Sequence, residues 1–167
     1  MSLFTNEIEF ENTSSTPVTT VSNSNNCVIN FNFGGSEFEV EYNAMVDTWM
    51  GLYDDDNIKK FTLVFKACDE GASPPLSYVY RLSKFLKNIK KQRKIERDKY
   101  NKLEQSVVMI TSKAVKLLLD MLFKLVTPLS TIYIVSTNEH IDTIVECIEH
   151  QRDIPENIKG VKCICVK

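Results

Sequence analysis

Residues 106–126 read SVVMITSKAVKLLLDMLFKLV and contain the two kinds of element from which the fold is predicted. The first five residues form a short apolar run rich in β-branched side chains, which is typical of a strand covered on both faces. Thr111 or Ser112 then supplies the N-cap of a very apolar helix over roughly Lys113–Leu125. A buried strand that passes directly into a helix indicates a mainly parallel α/β sheet.

The same alternation continues on both sides of this stretch. Before it, Phe61–Ala67 (FTLVFKA) has the pattern of a central strand, and a long helix is predicted over about residues 76–97. After it, residues 131–136 predict another buried strand, and Asn138 caps a helix that runs to about residue 150. Residues 161–166 suit a last edge strand. Because the predicted strands and helices alternate along the chain, we expect the helices to be crossovers between neighbouring parallel strands.

The N-terminal part predicts a β-hairpin and a short helix. Residues 27–33 (CVINFNF) and 36–42 (SEFEVEY) both alternate apolar and polar side chains, and Gly34-Gly35 between them suits a tight turn. A helix is expected over residues 44–52. Residues 1–26 are rich in Ser, Thr and Asn and are expected to form a flexible polar arm, which leaves a single domain over residues 27–167.

Length and composition exclude several classes of protein. A chain of 167 residues with 43% apolar and 25% charged residues is typical of one soluble domain. No apolar run is long enough to span a bilayer, and five cysteines without a CxxC spacing favour a reducing, cytoplasmic location. Phosphate-binding, nucleophile-elbow and zinc-protease motifs are missing, so we expect no catalytic residues, no metal and no cofactor.

The net charge of −2 conceals a strong asymmetry. Residues 84–102 carry nine Lys or Arg against Glu96 and Asp98, a net charge of +7, and the rest of the chain therefore carries −9. This basic helix end is either a solvated surface or a patch for an acidic partner, a nucleic acid or an anionic lipid. Few aromatic residues are interleaved, and this argues against nucleic acid as the partner. The candidate patch is Lys90, Lys91, Arg93, Lys94 and Arg97.

Residues 112–121 (SKAVKLLLDM) resemble a strand-following helix of STAS domains, the family of sulphate transporters and anti-sigma factor antagonists. Residues 42–66 are similar to STAS-like phosphoswitch proteins, in which a helix containing Trp precedes the central strand, and the element order also agrees. The resemblance implies a STAS-like α/β fold and a non-enzymatic module for signalling that binds a protein partner. That partner would be a kinase, another regulator or a second copy of the chain.

The resemblance also implies particular site residues. In the family a Ser or Thr before the helix that follows the central strand is phosphorylated, and Ser73 matches it in one alignment, whereas Pro74 matches it in another. Ser73 followed by proline is equally well interpreted as a helix N-cap. Around it, the partner surface would include Asp69, Ser77, Lys116 and Met121.

Two other functions are consistent with the same residues. The helix over Lys113–Leu125 has more apolar side chains than one buried face needs, so it is either covered by the arm or used for docking. Docking of that kind also suits a structural component of a larger assembly. The third hypothesis is a small-ligand binder or enzyme at the carboxyl ends of the strands, where open α/β sheets bind ligands.

Overall fold

The computed structural model describes residues 18–23, 26–33, 38–67, 74–110, 112–155 and 161–164. Within these residues the chain is an α/β protein of six strands and five helices. The strands are β1 (Val18–Asn23), β2 (Asn26–Phe33), β3 (Phe61–Ala67), β4 (Leu103–Met109), β5 (Thr131–Val135) and β6 (Lys162–Ile164). The helices are α1 (Phe38–Asp54), α2 (Leu76–Ile95), α3 (Arg97–Tyr100), α4 (Lys113–Leu125) and α5 (Asn138–Glu149).

The six strands form one sheet in the order β1-β2-β3-β4-β5-β6. The four central strands, β2 to β5, pair in parallel, whereas β1 and β6 pair antiparallel at the two edges. The prediction of a mixed, mainly parallel sheet with an N-terminal β-hairpin and crossover helices is therefore confirmed. Because the strand order never reverses, the described sheet lacks the switch point at which doubly wound sheets bind ligands.

The sequential strand order also decides where the helices lie. Crossovers between parallel strands are right-handed. When each new strand is added on the same side of the previous one, the helices of these crossovers all lie on the same face of the sheet. One core accordingly joins α1, α2 and α4 to the first face, through residues such as Trp49, Ile89 and Leu122. A second core covers the opposite face with α5, through Ile141, Ile144 and Ile148.

Several elements lie where the sequence predicts them. Strand β3 and helix α4 have the predicted bounds, and the Ser112 side chain accepts a hydrogen bond from the Val115 N–H at 3.2 Å. Helix α5 begins at Asn138, but its N-cap is Thr137, whose hydroxyl accepts from the His140 N–H at 3.3 Å. These elements were predictable because their signals, caps and apolar periodicity, lie within the segment itself.

The strand predicted over residues 36–42 is wrong, because α1 begins at Phe38. The apparent alternation of Phe38, Val40 and Tyr42 also satisfies a helix, in which Phe38 and Tyr42 are one turn apart and share a face. Their rings both contact Tyr78 of α2, at centroid distances of 6.1 and 5.4 Å, whereas Val40 is exposed. Glu39 and Glu41 then lie in the first helical turn, where negative charge is favoured.

The N-terminal hairpin exists, but a different segment forms it. Strand β1 pairs with β2, so Val18–Asn23 belongs to the sheet, although we expected an irregular arm there. Its polar sequence, VTTVSN, is stabilised by the backbone pairing and gave little signal of its own. Residues 1–17 and the turn expected at Gly34-Gly35 lie outside the described residues.

Helix α2 begins at Leu76 and ends at Ile95, followed after Glu96 by the four-residue α3. Its N-cap is Pro75, with φ −58° and ψ 148° and no side-chain cap, so the interpretation of Ser73 as the N-cap is wrong. The physical reason is the Pro-Pro pair, since a residue before proline is driven into an extended conformation. Ser73 itself lies outside the described residues.

Candidate functional site

The first turns of three helices meet at one edge of the sheet. Helices α1, α2 and α4 follow the parallel strands β2, β3 and β4, so each helix begins at the end where its strand finishes. We call this region the carboxyl edge; it comprises the ends of β2, β3 and β4 and the first two turns of α1, α2 and α4. Helices α2 and α4 are in contact with each other.

Large apolar side chains are exposed at the carboxyl edge. The exposed fractions are 56% for Val40, 46% for Leu76, 49% for Tyr80 and 61% for Leu117. Among the described residues, two other large apolar side chains are exposed, Ile95 (70%) and Leu125, and both lie at the opposite ends of their helices. A single exposed leucine is unremarkable, but several at one edge indicate a contact surface.

The structure brings two of the predicted partner-binding residues to this edge. Ser77 is exposed in the first turn of α2, and Lys116 is exposed in the first turn of α4. Met121 lies further along α4 and is half-buried against the core. Asp69 and Ser73 lie outside the described residues, in the segment that joins β3 to α2.

Sequence reasoning missed the exposed residues Val40, Leu76 and Tyr80, but it identified an excess of apolar side chains on α4, the helix that carries Leu117. One signal was available for α4, whose Ala114, Leu117, Met121 and Leu125 are spaced by three, four and four residues. Such spacing produces a second apolar stripe beside the one that faces the sheet. For α1 and α2, the exposed residues lie at the carboxyl edge because of the order of the strands in the sheet. A local sequence pattern does not reveal that order.

A charged cluster joins the first turns of α1 and α2. The carboxylate of Glu39 accepts hydrogen bonds from the Tyr78 hydroxyl at 2.8 Å and from both Arg81 Nη atoms at 2.5 and 3.2 Å. The guanidinium group also lies 4.4 Å from the ring centre of Tyr42 and 4.9 Å from that of Tyr78. Hydrogen bonds from Arg81 and then Tyr78 lower the pKa of Glu39 to about 2.

The lowered pKa of Glu39 predicts a pH dependence of stability. A carboxylate whose pKa falls on folding stabilises the protein above its unfolded pKa of about 4.3, and this contribution is lost as the pH falls towards 2. Urea unfolding of wild type and Glu39→Gln should therefore differ most at neutral pH, and the difference should shrink below about pH 4.3. In an Arg81→Ala background the same replacement should show little pH dependence. A constant difference between pH 7 and pH 2 would contradict the prediction.

A half-open cavity of about 230 Å³ lies between the first face of the sheet and helices α1, α2 and α4. Its floor is formed by residues of β4, of β5 and of the segment just before β5, and its walls are mostly apolar helix side chains. The floor residues are Leu103, Ser106, Val108, Ser130 and Ile132; the walls include Tyr42, Trp49, Leu82, Leu118 and Leu122. The cavity extends to Lys66 and Pro74, on either side of the segment that joins β3 to α2.

The predicted basic patch separates into half-buried members that are hydrogen-bonded within the fold and members that are exposed. Lys90 donates to the Thr127 hydroxyl, and Arg93 donates to the carbonyl oxygens of Tyr100 and Leu129 at 3.1 and 3.2 Å. Burial, with the nearby charge of Arg93, lowers the pKa of Lys90. Lys91, Lys94 and Arg97 are exposed, so the accessible part of the patch is smaller than the sequence indicates.

Other chemistry-bearing residues of the described chain are dispersed. No group of three His, Cys, Asp or Glu side chains there is placed to hold a metal ion. Cys27 and Cys147 are free thiols, and burial raises the pKa of Cys27 to about 11, which keeps it protonated at neutral pH. None of the described helices is both long enough and apolar enough to cross a membrane.

A function for this chain thus has to account for three features: the exposed apolar residues, the Glu39–Arg81 cluster and the cavity. They meet where the predicted Ser77 and Lys116 also lie. Comparison of the chain with family models, curated proteins and solved structures finds no match in any of the three.

Proposed function

We propose that this chain is a non-enzymatic regulatory module that binds a protein partner through the carboxyl edge of its sheet. The observation that carries the proposal is the concentration of Val40, Leu76, Tyr80 and Leu117 at that edge. These side chains are about half exposed, so burying the exposed part of each contributes about 1 kcal/mol to an interface before the cost of association is subtracted. Several of them together suit the apolar centre of a docking surface. The STAS-like interpretation of residues 112–121 supports the same class of function.

The charges beside these side chains indicate the chemistry of the partner. Lys113 and Lys116 are exposed in the first turn of α4, next to Leu117. The carboxylate of Glu39 is already neutralised by Arg81 and adds little negative charge to the surface. The complementary partner therefore has an apolar centre with acidic residues at its rim, where charge mainly sets orientation and association rate.

Regulation by phosphorylation at Ser73 is part of the proposal. Ser73 is three residues before the exposed Leu76, and a phosphate adds about −1.5 to −2 charges at neutral pH. A phosphate only three residues from an apolar contact residue weakens binding by its desolvation cost and by repulsion of an acidic partner. The module would then bind its partner in the unmodified state and release it after phosphorylation.

The test compares exposed leucine and isoleucine residues at opposite ends of the helices. Tagged wild-type, Leu117→Glu and Ile95→Glu proteins are used to capture partners from the native source, and the captured protein is purified and titrated by calorimetry. We expect Leu117→Glu to weaken binding at least tenfold and Ile95→Glu to leave it unchanged, because Ile95 lies away from the carboxyl edge. Urea unfolding of both variants controls for folding.

The same titration tests the switch. Ser73→Asp should weaken binding, whereas Ser73→Ala should bind as wild type does. Equal effects of Leu117→Glu and Ile95→Glu would overturn the docking edge, and equal binding by Ser73→Asp and Ser73→Ala would overturn the switch alone. If the captured protein is a second copy of this chain, the same variants measure self-association.

A further inference from the structure

Helix α2 carries an exposed row of lysines beyond the part of it that belongs to the carboxyl edge. The helix contains five Lys and two Arg and no Asp or Glu. Lys84, Lys87, Lys91 and Lys94 are exposed, and none of them forms an ion pair with another described residue. With about 3.6 residues in each turn, their spacing of about three, four and three residues places them on one side of the helix over about 15 Å. We call these four residues the basic stripe.

Helix α5 carries the opposite charge at the same spacing. It contains no Lys or Arg, and its acidic residues Glu139, Asp142, Glu146 and Glu149 repeat the intervals found in the basic stripe. The first three are exposed and Glu149 is half-exposed, whereas the isoleucines of the helix face the core. We call these four residues the acidic stripe.

The two stripes cannot meet within one copy of the chain. Helix α2 packs on the first face of the sheet and α5 on the opposite face, so the sheet lies between them. In the part of the chain that the structure describes, one residue of the acidic stripe forms an ion pair, Glu146 with Arg152 at 3.1 Å. Both of these side chains are more than half exposed, and an exposed pair of this kind is weak. The acidic stripe therefore remains available to a cation from outside.

The matched spacing selects a second copy of the chain as the occupant of the basic stripe. The order of intervals is the same in both directions along a helix. Four lysines can therefore face four carboxylates whether α2 of one copy and α5 of the next run parallel or antiparallel. Complementary charge of this kind sets the orientation of the partners and the rate at which they associate.

Other polyanions match the basic stripe less well. A helix that binds a membrane surface inserts an apolar face, but the apolar residues Val79, Leu86 and Ile89 of α2 are packed in the core. Nucleic acid and anionic lipid also present negative charge over a wide area, and the chain outside residues 84–102 carries a net charge of −9. A second copy avoids this repulsion, because it offers its negative charge on one helix of matching length.

We propose that copies of this chain associate head to tail, with the basic stripe of α2 in one copy against the acidic stripe of α5 in the next. The contact joins two different surfaces, so it is heterologous and leads to a closed ring or an open row of copies. It is independent of the proposed docking at the carboxyl edge, which uses exposed apolar residues.

The first experiment measures self-association of the full chain against salt by sedimentation velocity and light scattering. The Debye length falls from about 20 Å in ~20 mM NaCl to about 4 Å in ~500 mM NaCl. We expect association in the low salt and a loss of at least about tenfold in the association constant in the high salt. A wild-type protein that stays monomeric at about 1 mM in low salt, or association that does not weaken with salt, would overturn the proposal.

Charge reversal at the centre of each stripe gives the decisive comparison. One variant combines Lys87→Glu with Lys91→Glu, and the other combines Asp142→Lys with Glu146→Lys. Each variant alone should associate at least about tenfold more weakly than wild type, because like charges then face each other at the centre of the contact. An equimolar mixture of the two variants should associate again, since every contact between them joins opposite charges. No recovery in the mixture would contradict the pairing of these two stripes.

The matched control reverses two lysines at the carboxyl edge. Lys113→Glu with Lys116→Glu changes the net charge by the same amount, and both residues are exposed on α4. This variant should self-associate as wild type does, and urea unfolding of all variants controls for folding. A loss equal to that of the α2 variant would assign self-association to the edge or to net charge alone and overturn the proposal. Binding of phosphatidylserine vesicles by a wild type that stays monomeric would overturn it in favour of a membrane.

Discussion

Replacing Trp49 with alanine is expected to lower the free energy of unfolding by about 3–5 kcal/mol, the cost of truncating a buried Trp or Phe. Trp49 is buried in α1, and its ring lies 5.1 Å from that of Phe85 and 6.1 Å from that of Phe65. Its indole N–H donates to the Tyr53 hydroxyl at 3.1 Å. Because Trp49 also lines the cavity, truncation enlarges an existing space instead of allowing the core to collapse.

Urea unfolding followed by circular dichroism measures this effect, since Trp49 is the only tryptophan and the variant has no tryptophan fluorescence. For a domain with a total stability of about 5–15 kcal/mol, such a loss leaves the variant marginally folded. Tyr80→Ala removes an exposed aromatic side chain and should stay within about 0.5 kcal/mol of wild type. A loss below about 1 kcal/mol for Trp49→Ala would show that the contact between α1 and the sheet is not close-packed.

Replacing Arg93 with methionine should destabilise the fold by about 1–3 kcal/mol, the cost of leaving polar groups unsatisfied. The Arg93 guanidinium joins the end of α2 to the carbonyl oxygens of Tyr100 and Leu129, which lie before β4 and β5. Methionine keeps the length of the side chain but donates no hydrogen bond, so both carbonyl groups lose their partner.

The adjacent Lys94 supplies the matched control. Lys94 is exposed, and Lys94→Met should change the free energy of unfolding by no more than about 0.5 kcal/mol. Thermal and urea unfolding of the two variants compare residues that the sequence presents as equivalent members of one basic patch. If Arg93→Met and Lys94→Met were equally stable, the structural role of Arg93 would be contradicted, and Arg93 would instead belong to the exposed basic patch.

The success of the sequence predictions depended on whether a segment carries its own signal. Strand β3 is apolar at nearly every position because helices cover both of its faces, and α4 has a serine cap and a strong apolar periodicity. Phe38, Val40 and Tyr42 were misassigned because three residues at alternate positions fit a strand and a helical turn equally well. The contacts of Phe38 and Tyr42 with Tyr78 select the helix, and Tyr78 is remote in sequence.

The candidate site was predictable in part. Ser77 and Lys116 were expected at a partner surface, and the structure places both at the carboxyl edge. The Glu39–Arg81 cluster was missed because Glu39 was assigned to a strand, and its partner is 42 residues away. The cavity was missed because packing density is a property of several elements together, and no single stretch of sequence encodes it.

The sequence by itself determined the class of the fold and the identity of most elements, since caps, turns and apolar periodicity act over a few residues of one segment. Tertiary structure alone decided that the strands follow one another in order, that α1, α2 and α4 share one face, and that their exposed apolar residues meet at one edge. It also decided that Arg93 turns inward while Lys94 faces water. These outcomes depend on contacts between segments far apart in the chain, whose free energy exists only once the sheet and its helices have assembled.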